Sequence, residues 1–127
     1  MRLLLDTAVL IYAVEAPERL SRRSLSLVED PENLLELSAI SLVEIAIKAS
    51  LGKLKISESA VRQAIDDLGI RVLPFTGEHA MQLFRLPSHH GDPFDRQIIA
   101  QALSEEAPVV TPDEMFRSYK GLKVIWR

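Results

Sequence analysis

The 127-residue chain contains no cysteine, few glycines and no long uninterrupted apolar segment. The absence of cysteine excludes disulfides, thiolate metal sites and cysteine nucleophiles, and it fits a reducing compartment such as the cytoplasm. No uncharged apolar run reaches the roughly 18 residues that a membrane span needs. Asp6 interrupts the apolar stretch at the N-terminus, so we expect no signal peptide. These absences predict a cytoplasmic protein with no membrane segment.

The sequence also lacks a basic excess and the glycine patterns of nucleotide-binding loops. Its formal net charge is −3, whereas a general nucleic-acid-binding protein is usually basic. An acid cluster that binds a metal ion would account for part of this negative charge. There is no Gly-x-Gly-x-x-Gly, Walker A or Gly-x-Ser-x-Gly pattern. The absence of these patterns argues against dinucleotide-binding proteins, P-loop enzymes and serine hydrolases.

Short apolar runs alternate with helical patterns along the whole chain. This alternation is typical of a parallel β-sheet that is covered by helices on both faces, an α/β fold. The length predicts one domain spanning residues 1–127. The predicted strands cover residues 2–5, 35–40, 70–75, 108–111 and 123–126, and the predicted helices cover residues 7–15, 19–30, 41–51, 58–68, 76–86 and 95–106.

Four acidic residues occupy positions that this fold would bring to one edge of the sheet. Asp6 and Asp113 follow the first and fourth strands, whereas Glu44 and Asp95 lie in the first turns of predicted helices. Each has an ordinary explanation as a helix cap, and Ser41 with Glu44 matches a capping box. The carboxyl ends of parallel strands share one edge. If the first and fourth strands are neighbours, Asp6 and Asp113 flank the crevice where the strand order reverses.

Carboxylates that converge at such an edge repel one another unless a cation lies among them. Oxygen ligands without cysteine or clustered histidine favour Mg²⁺ or Mn²⁺. We therefore predict a divalent metal site at Asp6, Asp95 and Asp113, with Glu44 completing it.

Other polar residues near these acids have supporting roles in this hypothesis. Asp92 is predicted to cap the helix that carries Asp95, and Thr111 and Ser41 are predicted to hydrogen-bond carboxylates and fix their geometry. Arg96 is interpreted either as a contact to a substrate phosphate or as one half of a surface salt bridge.

Two histidines precede this helix. His89 and His90 lie in the segment PSHHGDPF, which is predicted to be a loop. They are interpreted as ordinary loop residues in preference to metal ligands.

Four segments occur in a specific order along nearly the whole chain. They are LLLDTAVLIYA, LSAISLVEIAIKASLGKL, HHGDPFDRQIIAQAL and VVTPDEMFRSYKGLKVIW. Together they resemble the PIN-domain nucleases, in particular the VapC-like toxins of bacterial toxin–antitoxin pairs. The resemblance implies a three-layer α/β/α sandwich with a five-stranded parallel sheet. It also implies a metal-dependent endoribonuclease that acts on RNA, has a cognate antitoxin as partner and forms a homodimer.

The resemblance assigns catalytic roles to Asp6, Glu44, Asp95 and Asp113. Ala8 stands where many members carry histidine, and Pro112 stands where many carry arginine. Neither departure removes a carboxylate, so both bear on substrate contacts and not on hydrolysis itself.

Three alternatives involve other functions. A response-regulator receiver would show paired acids after its first strand, and a haloacid-dehalogenase-type phosphatase would show a second aspartate two residues after the first. Asp6-Thr7-Ala8 offers no acid pair, which argues against the receiver, and position 8 is alanine, which argues against the phosphatase. The third alternative is a PIN-like binding module without turnover. A module of that kind would have no need for four carboxylates that cost stability when they lie together.

Overall fold

A computed structural model describes residues 1–127 and contains five strands and six α-helices. The strands are β1 (Arg2–Leu5), β2 (Leu34–Ser38), β3 (Arg71–Leu73), β4 (Val109–Val110) and β5 (Val124–Ile125). The helices are α1 (Thr7–Glu15), α2 (Arg22–Glu29), α3 (Ala39–Ser50), α4 (Glu58–Leu68), α5 (Gly77–Gln82) and α6 (Pro93–Glu105). Short 3₁₀ turns cover Pro17–Arg19, Leu83–Arg85 and Glu114–Ser118. None of the helices combines the length and apolar character that a membrane crossing requires.

The five strands form one parallel sheet in the order β3-β2-β1-β4-β5. Strand β1 lies at the centre, and Leu5 is in register with Leu37 of β2 on one side and with Val110 of β4 on the other. The chain builds outward from β1 to β3 and then returns to place β4 on the opposite side. The predicted five-stranded parallel sheet is confirmed, and the strand order reverses between β1 and β4.

The apolar side chains of β1 alternate between two cores. Leu3 and Leu5 belong to the core beneath α1, α2, α3 and α4, whereas Leu4 belongs to the core beneath α6, against which α5 packs. All three leucines are fully buried, because a central parallel strand has a helical layer on both faces. The predicted three-layer α/β/α arrangement is confirmed.

Helix α3 begins earlier than the sequence analysis predicted. Ser38, the last residue of β2, is its N-cap, and the Ser38 side chain accepts a hydrogen bond from the backbone N–H of Ile40 at 3.0 Å. The predicted capping box of Ser41 and Glu44 is therefore wrong, because Ser38 already caps the helix. Glu44 lies in the second turn of α3 and is buried, with 6% of its surface exposed.

Helix α6 also begins before its predicted start at Asp95. Its first residue is Pro93, and the Asp92 side chain caps it. The predicted helix over residues 19–30 divides into a 3₁₀ turn and α2, since Leu20 adopts an extended conformation between them.

A buried ionic network lies toward the amino ends of the strands. Glu36, in the middle of β2, is fully buried and pairs with the guanidinium of Arg2, while Arg71 lies 3.8 Å from its other oxygen. Arg2 also donates to Glu105 at 2.7 Å, and Glu105 contacts His79 at 2.8 Å. Glu105 thus belongs to this network through two residues that are distant from it in sequence.

Replacing Arg2 with methionine should destabilise the fold by about 2 to 4 kcal/mol, because the buried Glu36 carboxylate then keeps only the more distant Arg71. Urea denaturation would measure the free energy of unfolding. Replacing Arg2 and Glu36 together with methionine should cost less than Arg2→Met alone, since no uncompensated charge is left. The matched control is Arg62→Met, which breaks an exposed pair with Glu58 and should change stability by less than about 1 kcal/mol. Equal losses for Arg2→Met and Arg62→Met would contradict this account of Glu36.

Candidate metal centre

A cleft of about 400 Å³ opens at the carboxyl ends of β1 and β4, where the strand order reverses. Strand ends deliver two of its acids, since Asp6 follows β1 and Asp113 follows β4. Helix α3 and the start of α6 deliver the others. The five acids that line the cleft are Asp6, Glu44, Asp92, Asp95 and Asp113. The structure thus brings together the four residues predicted to be catalytic, and Asp92 joins them.

Asp6 is fixed on both of its carboxylate oxygens. Oδ1 accepts a hydrogen bond from the backbone N–H of Thr7 at 2.8 Å, and Oδ2 accepts one from the hydroxyl of Thr111 at 2.7 Å. Burial raises the pKa of Asp6 to about 6, although these two hydrogen bonds oppose the increase. Asp6 is therefore both the N-cap of α1 and a buried acid of the cleft.

Asp95 has a pKa that is raised even further than that of Asp6. Burial and the negative charges of Asp6, Asp92 and Glu44 together raise its pKa to about 7, although His90 opposes the increase. Near neutral pH the protonated form of this carboxyl group is therefore favoured more than usual unless a cation lies beside it.

Glu44 has one occupied and one unoccupied oxygen. Oε2 accepts a hydrogen bond from the Lys48 ammonium at 2.6 Å. Oε1 is buried and has no hydrogen-bond partner. The hydrogen bond with Glu44 raises the pKa of Lys48, and the charges of Asp92 and Asp95 add to this effect. A buried carboxylate oxygen without a partner is costly, so Oε1 is suited to a cation.

His90 belongs to the site, although the sequence analysis favoured an ordinary loop residue. Its Nε2 lies 2.7 Å from Oδ2 of Asp113 and 3.1 Å from Oδ2 of Asp95. Its Nδ1 accepts a hydrogen bond from the backbone N–H of Asp92 at 3.1 Å. Nδ1 therefore carries no proton, and Nε2 donates to the carboxylates. In this tautomer His90 orients both carboxylates, and the ligand atoms of His90, Asp95 and Asp113 all lie within 4.8 Å of one another, which is close enough to surround a metal ion.

The predicted supporting residues have different outcomes. Thr111 donates to Asp6, and Asp92 caps α6 by accepting two backbone N–H groups on Oδ1. Ser41 is fully buried but bonds no carboxylate, because its hydroxyl accepts from the hydroxyl of Thr7 at 2.8 Å. The prediction of a Ser41–carboxylate hydrogen bond is therefore wrong.

Arg96 does not form the surface salt bridge that the sequence analysis considered. Its Nη1 donates to the carbonyl oxygen of Pro87 at 3.0 Å and lies within hydrogen-bond distance of the carbonyl of His90. The hydroxyl of Tyr119 accepts from the backbone N–H of His90 at 2.7 Å. Arg96 and Tyr119 therefore brace the loop that carries His90, and the Arg96 guanidinium is engaged with that loop and not held out toward a phosphate.

Residues 3–122 match the family model of the PIN domain. The chain belongs to the PIN domain family. No sequence among curated proteins matches it.

Several solved structures share the fold of this PIN domain. VapBC2 of Rickettsia felis, bound to a DNA fragment from its promoter, has a TM-score of 0.75 at 20% identity, with all of both chains covered. DNA-bound VapBC of Salmonella typhimurium has a TM-score of 0.73 at 20% identity, covering 98% of this chain and 97% of that one. A toxin–antitoxin complex from Klebsiella pneumoniae has a TM-score of 0.64 at 20% identity, covering 96% and 94%.

The acid cluster of this PIN domain fits a hard divalent cation. Its acids offer only oxygen ligands, which Mg²⁺ and Mn²⁺ prefer. Two observations show that positive charge is lacking, namely the partnerless Oε1 of Glu44 and the raised carboxyl pKa values of Asp6 and Asp95. Sequence position and the family resemblance predicted the four carboxylates, whereas the contacts of His90 depend on how its loop folds over Asp113.

The pKa values of Asp6 and Asp95 predict that the chelator-treated protein loses stability as the pH rises. Both folded-state values lie above those of the unfolded chain, so the folded state holds more protons between about pH 4 and pH 7. The stabilising contribution is complete below about pH 4 and is lost as the pH rises through about 6 to 7. Asp95→Asn should flatten this decline by about 2 kcal/mol or more between pH 5 and pH 8. Denaturant titrations at several pH values, in chelator, would measure the difference, and identical slopes for both proteins would refute it.

Proposed function

We propose that this PIN domain is a metal-dependent endoribonuclease and the toxin of a toxin–antitoxin pair. The observation that carries the proposal is the cleft in which five acids converge without enough positive charge. A structural role does not require such a cluster, because it costs stability in the absence of a cation.

The residues of the cleft suggest a division of labour in phosphodiester hydrolysis. Asp6, Asp95 and Asp113 would hold the divalent ion, Mg²⁺ or Mn²⁺, and Glu44 would complete the site. When bound, such an ion acidifies water and offsets charge on the attacked phosphate. Glu44 or Asp113 orients the attacking water and takes its proton. Attack in line with the 3′ oxygen leaves a 5′-phosphate and a 3′-hydroxyl.

A cluster of arginines supports a nucleic-acid substrate. Arg22, Arg23 and Arg127, with Ser21 and Ser26, line a cavity of about 490 Å³ that contains no acidic residue. None of these three arginines pairs with a side-chain carboxylate, and Nη1 of Arg23 donates to the main-chain oxygen of Arg127 at 3.0 Å. Guanidinium groups without carboxylate partners suit the phosphates of a nucleic acid.

The arginine cavity lies on the same edge of the sheet as the acid cleft. The Ser21 hydroxyl donates to the carbonyl of Trp126, the residue that directly follows β5. Tyr12 lines the acid cleft and packs edge-to-face against Trp126 with ring centroids 6.4 Å apart. A strand of RNA that crosses Tyr12 would therefore contact both sites.

The toxin role rests on the solved structures that share this fold. One of them is itself a toxin–antitoxin complex, and two others are VapBC proteins with bound DNA. By analogy we propose a cognate antitoxin as partner, a homodimer as the assembly and the cytoplasm as the location.

Asp6→Asn should reduce metal-dependent RNA cleavage by about 100-fold or more, because it removes a central carboxylate of the site. Cleavage of a labelled RNA with Mg²⁺ or Mn²⁺ would measure the effect, and circular dichroism would show that the fold is retained. The control is Asp66→Asn, an acid on α4 outside the cleft. Full cleavage by Asp6→Asn would refute the assignment. A wild-type protein that binds the ion but hydrolyses no RNA would favour a binding module, and hydrolysis of another phosphate ester alone would favour a different phosphohydrolase.

Replacing Arg22 and Arg23 together with serine should weaken RNA binding and raise KM with little change in kcat. The loss of two phosphate contacts should also make the plot of log binding constant against log salt concentration less steep, by about 2 in its slope. Fluorescence anisotropy at several salt concentrations would measure both quantities. Arg62→Ser, outside the cavity, should leave the slope unchanged. An unchanged slope for the double variant would show that this cavity does not bind RNA.

A further inference from the structure

Lys48 is the only basic side chain that lines the acid cleft, where it faces five acidic residues. It lies on α3 one helical turn after Glu44, and its ammonium donates to Oε2 of Glu44 at 2.6 Å. The proposed catalytic residues do not include Lys48, and the sequence analysis assigned it no role at this site.

The pair of Lys48 and Glu44 differs from an ordinary salt bridge between successive helical turns. Arg62 and Glu58 on α4 have the same spacing, but both side chains are at least 75% exposed. Glu44 has a side chain that is only 8% exposed, whereas that of Lys48 is 39% exposed. The lysine therefore reaches from solvent to the edge of the cleft and neutralises a carboxylate that water does not solvate.

The second oxygen of Glu44 shows that this neutralisation is incomplete. Lys48 occupies Oε2 and leaves Oε1 buried without a hydrogen-bond partner. A divalent ion bound to Oε1 would bring a second positive charge close to the ammonium. The two positive charges would then repel each other while sharing one carboxylate.

We propose that Lys48 is the resident counterion of the acid cluster and competes with the divalent ion for Glu44. Lys48 acts through Glu44 and is thus a positioning residue, which stabilises the ion-free cleft and lowers its affinity for the ion. The inference rests on the proposed function only through the metal site and does not depend on which substrate is cleaved.

The two effects of Lys48 are thermodynamically linked. Removing the ammonium destabilises the ion-free protein, because Glu44 loses its counterion. The ion-bound protein loses less, since the ion itself then neutralises Glu44. The ion-free protein should therefore lose more free energy of unfolding than the ion-bound protein does, and the difference equals the gain in ion-binding free energy. A lysine that merely supported the fold would have the opposite effect, because its loss would weaken ion binding.

The test uses Lys48→Met, which keeps the length of the side chain, and Lys48→Gln, which keeps a hydrogen-bond donor. Titration calorimetry with Mn²⁺ alone should show about fivefold tighter binding to both variants, a size expected for a charge that is partly exposed. Urea denaturation in chelator should show both variants to be less stable than the wild type, and saturating Mn²⁺ should remove most of that difference. Lys53→Met, an exposed lysine beyond the end of α3, should match the wild type in both measurements.

A double-mutant cycle assigns the effect to Glu44. In a Glu44→Gln background the Lys48→Met change should no longer tighten Mn²⁺ binding. Unchanged or weaker binding by Lys48→Met, or an equal effect in the Glu44→Gln background, would overturn the inference, as would the absence of Mn²⁺ binding in all variants. Because no RNA is present, tighter Mn²⁺ binding by a protein that fails to cleave RNA would support the inference and contradict only the proposed function.

Discussion

The pairing of β4 with β1 is the interaction on which the rest of the site depends. The backbone N–H of Asp6 donates to the carbonyl of Val110 at 3.0 Å, so the ends of the two strands lie side by side. This contact brings Thr111 to the carboxylate of Asp6 and places Asp113 at the same crevice. The two segments are about a hundred residues apart in sequence, and only a parallel sheet whose strand order reverses at this point makes them neighbours.

The two ends of the sheet treat buried acids in opposite ways. Toward the amino ends, Glu36 and Glu105 contact Arg2, Arg71 and His79, so the chain supplies its own positive charge. At the carboxyl ends, five acids face a single lysine. The first arrangement is a structural network that is nearly neutral by itself. The second is held in place by hydrogen bonds from Thr111, Lys48 and His90, and it remains short of positive charge.

That contrast links the stability of the protein to its proposed chemistry. A cleft that is held rigid and short of positive charge favours a divalent ion without further rearrangement. The cost is lower stability near neutral pH, since burial and mutual repulsion oppose ionisation of Asp6 and Asp95. Lys48 reduces this cost by donating to Glu44. His90 reduces it by donating from Nε2, which carries the ring proton because Nδ1 accepts from the backbone N–H of Asp92.

The sequence by itself determined the α/β architecture and the positions of the acids, because both follow from local patterns. Apolar runs mark buried strands, and Asp6 and Asp113 stand directly after two of them. Tertiary structure alone decided which polar groups serve the acids. Ser38, and not Ser41, caps α3, and Arg96 donates to backbone carbonyls of the loop that carries His90. His90 hydrogen-bonds Asp113, and Arg127 lines the same cavity as Arg22 and Arg23. These contacts join residues that are distant in sequence or lie in irregular loops, where no periodicity indicates the direction of a side chain.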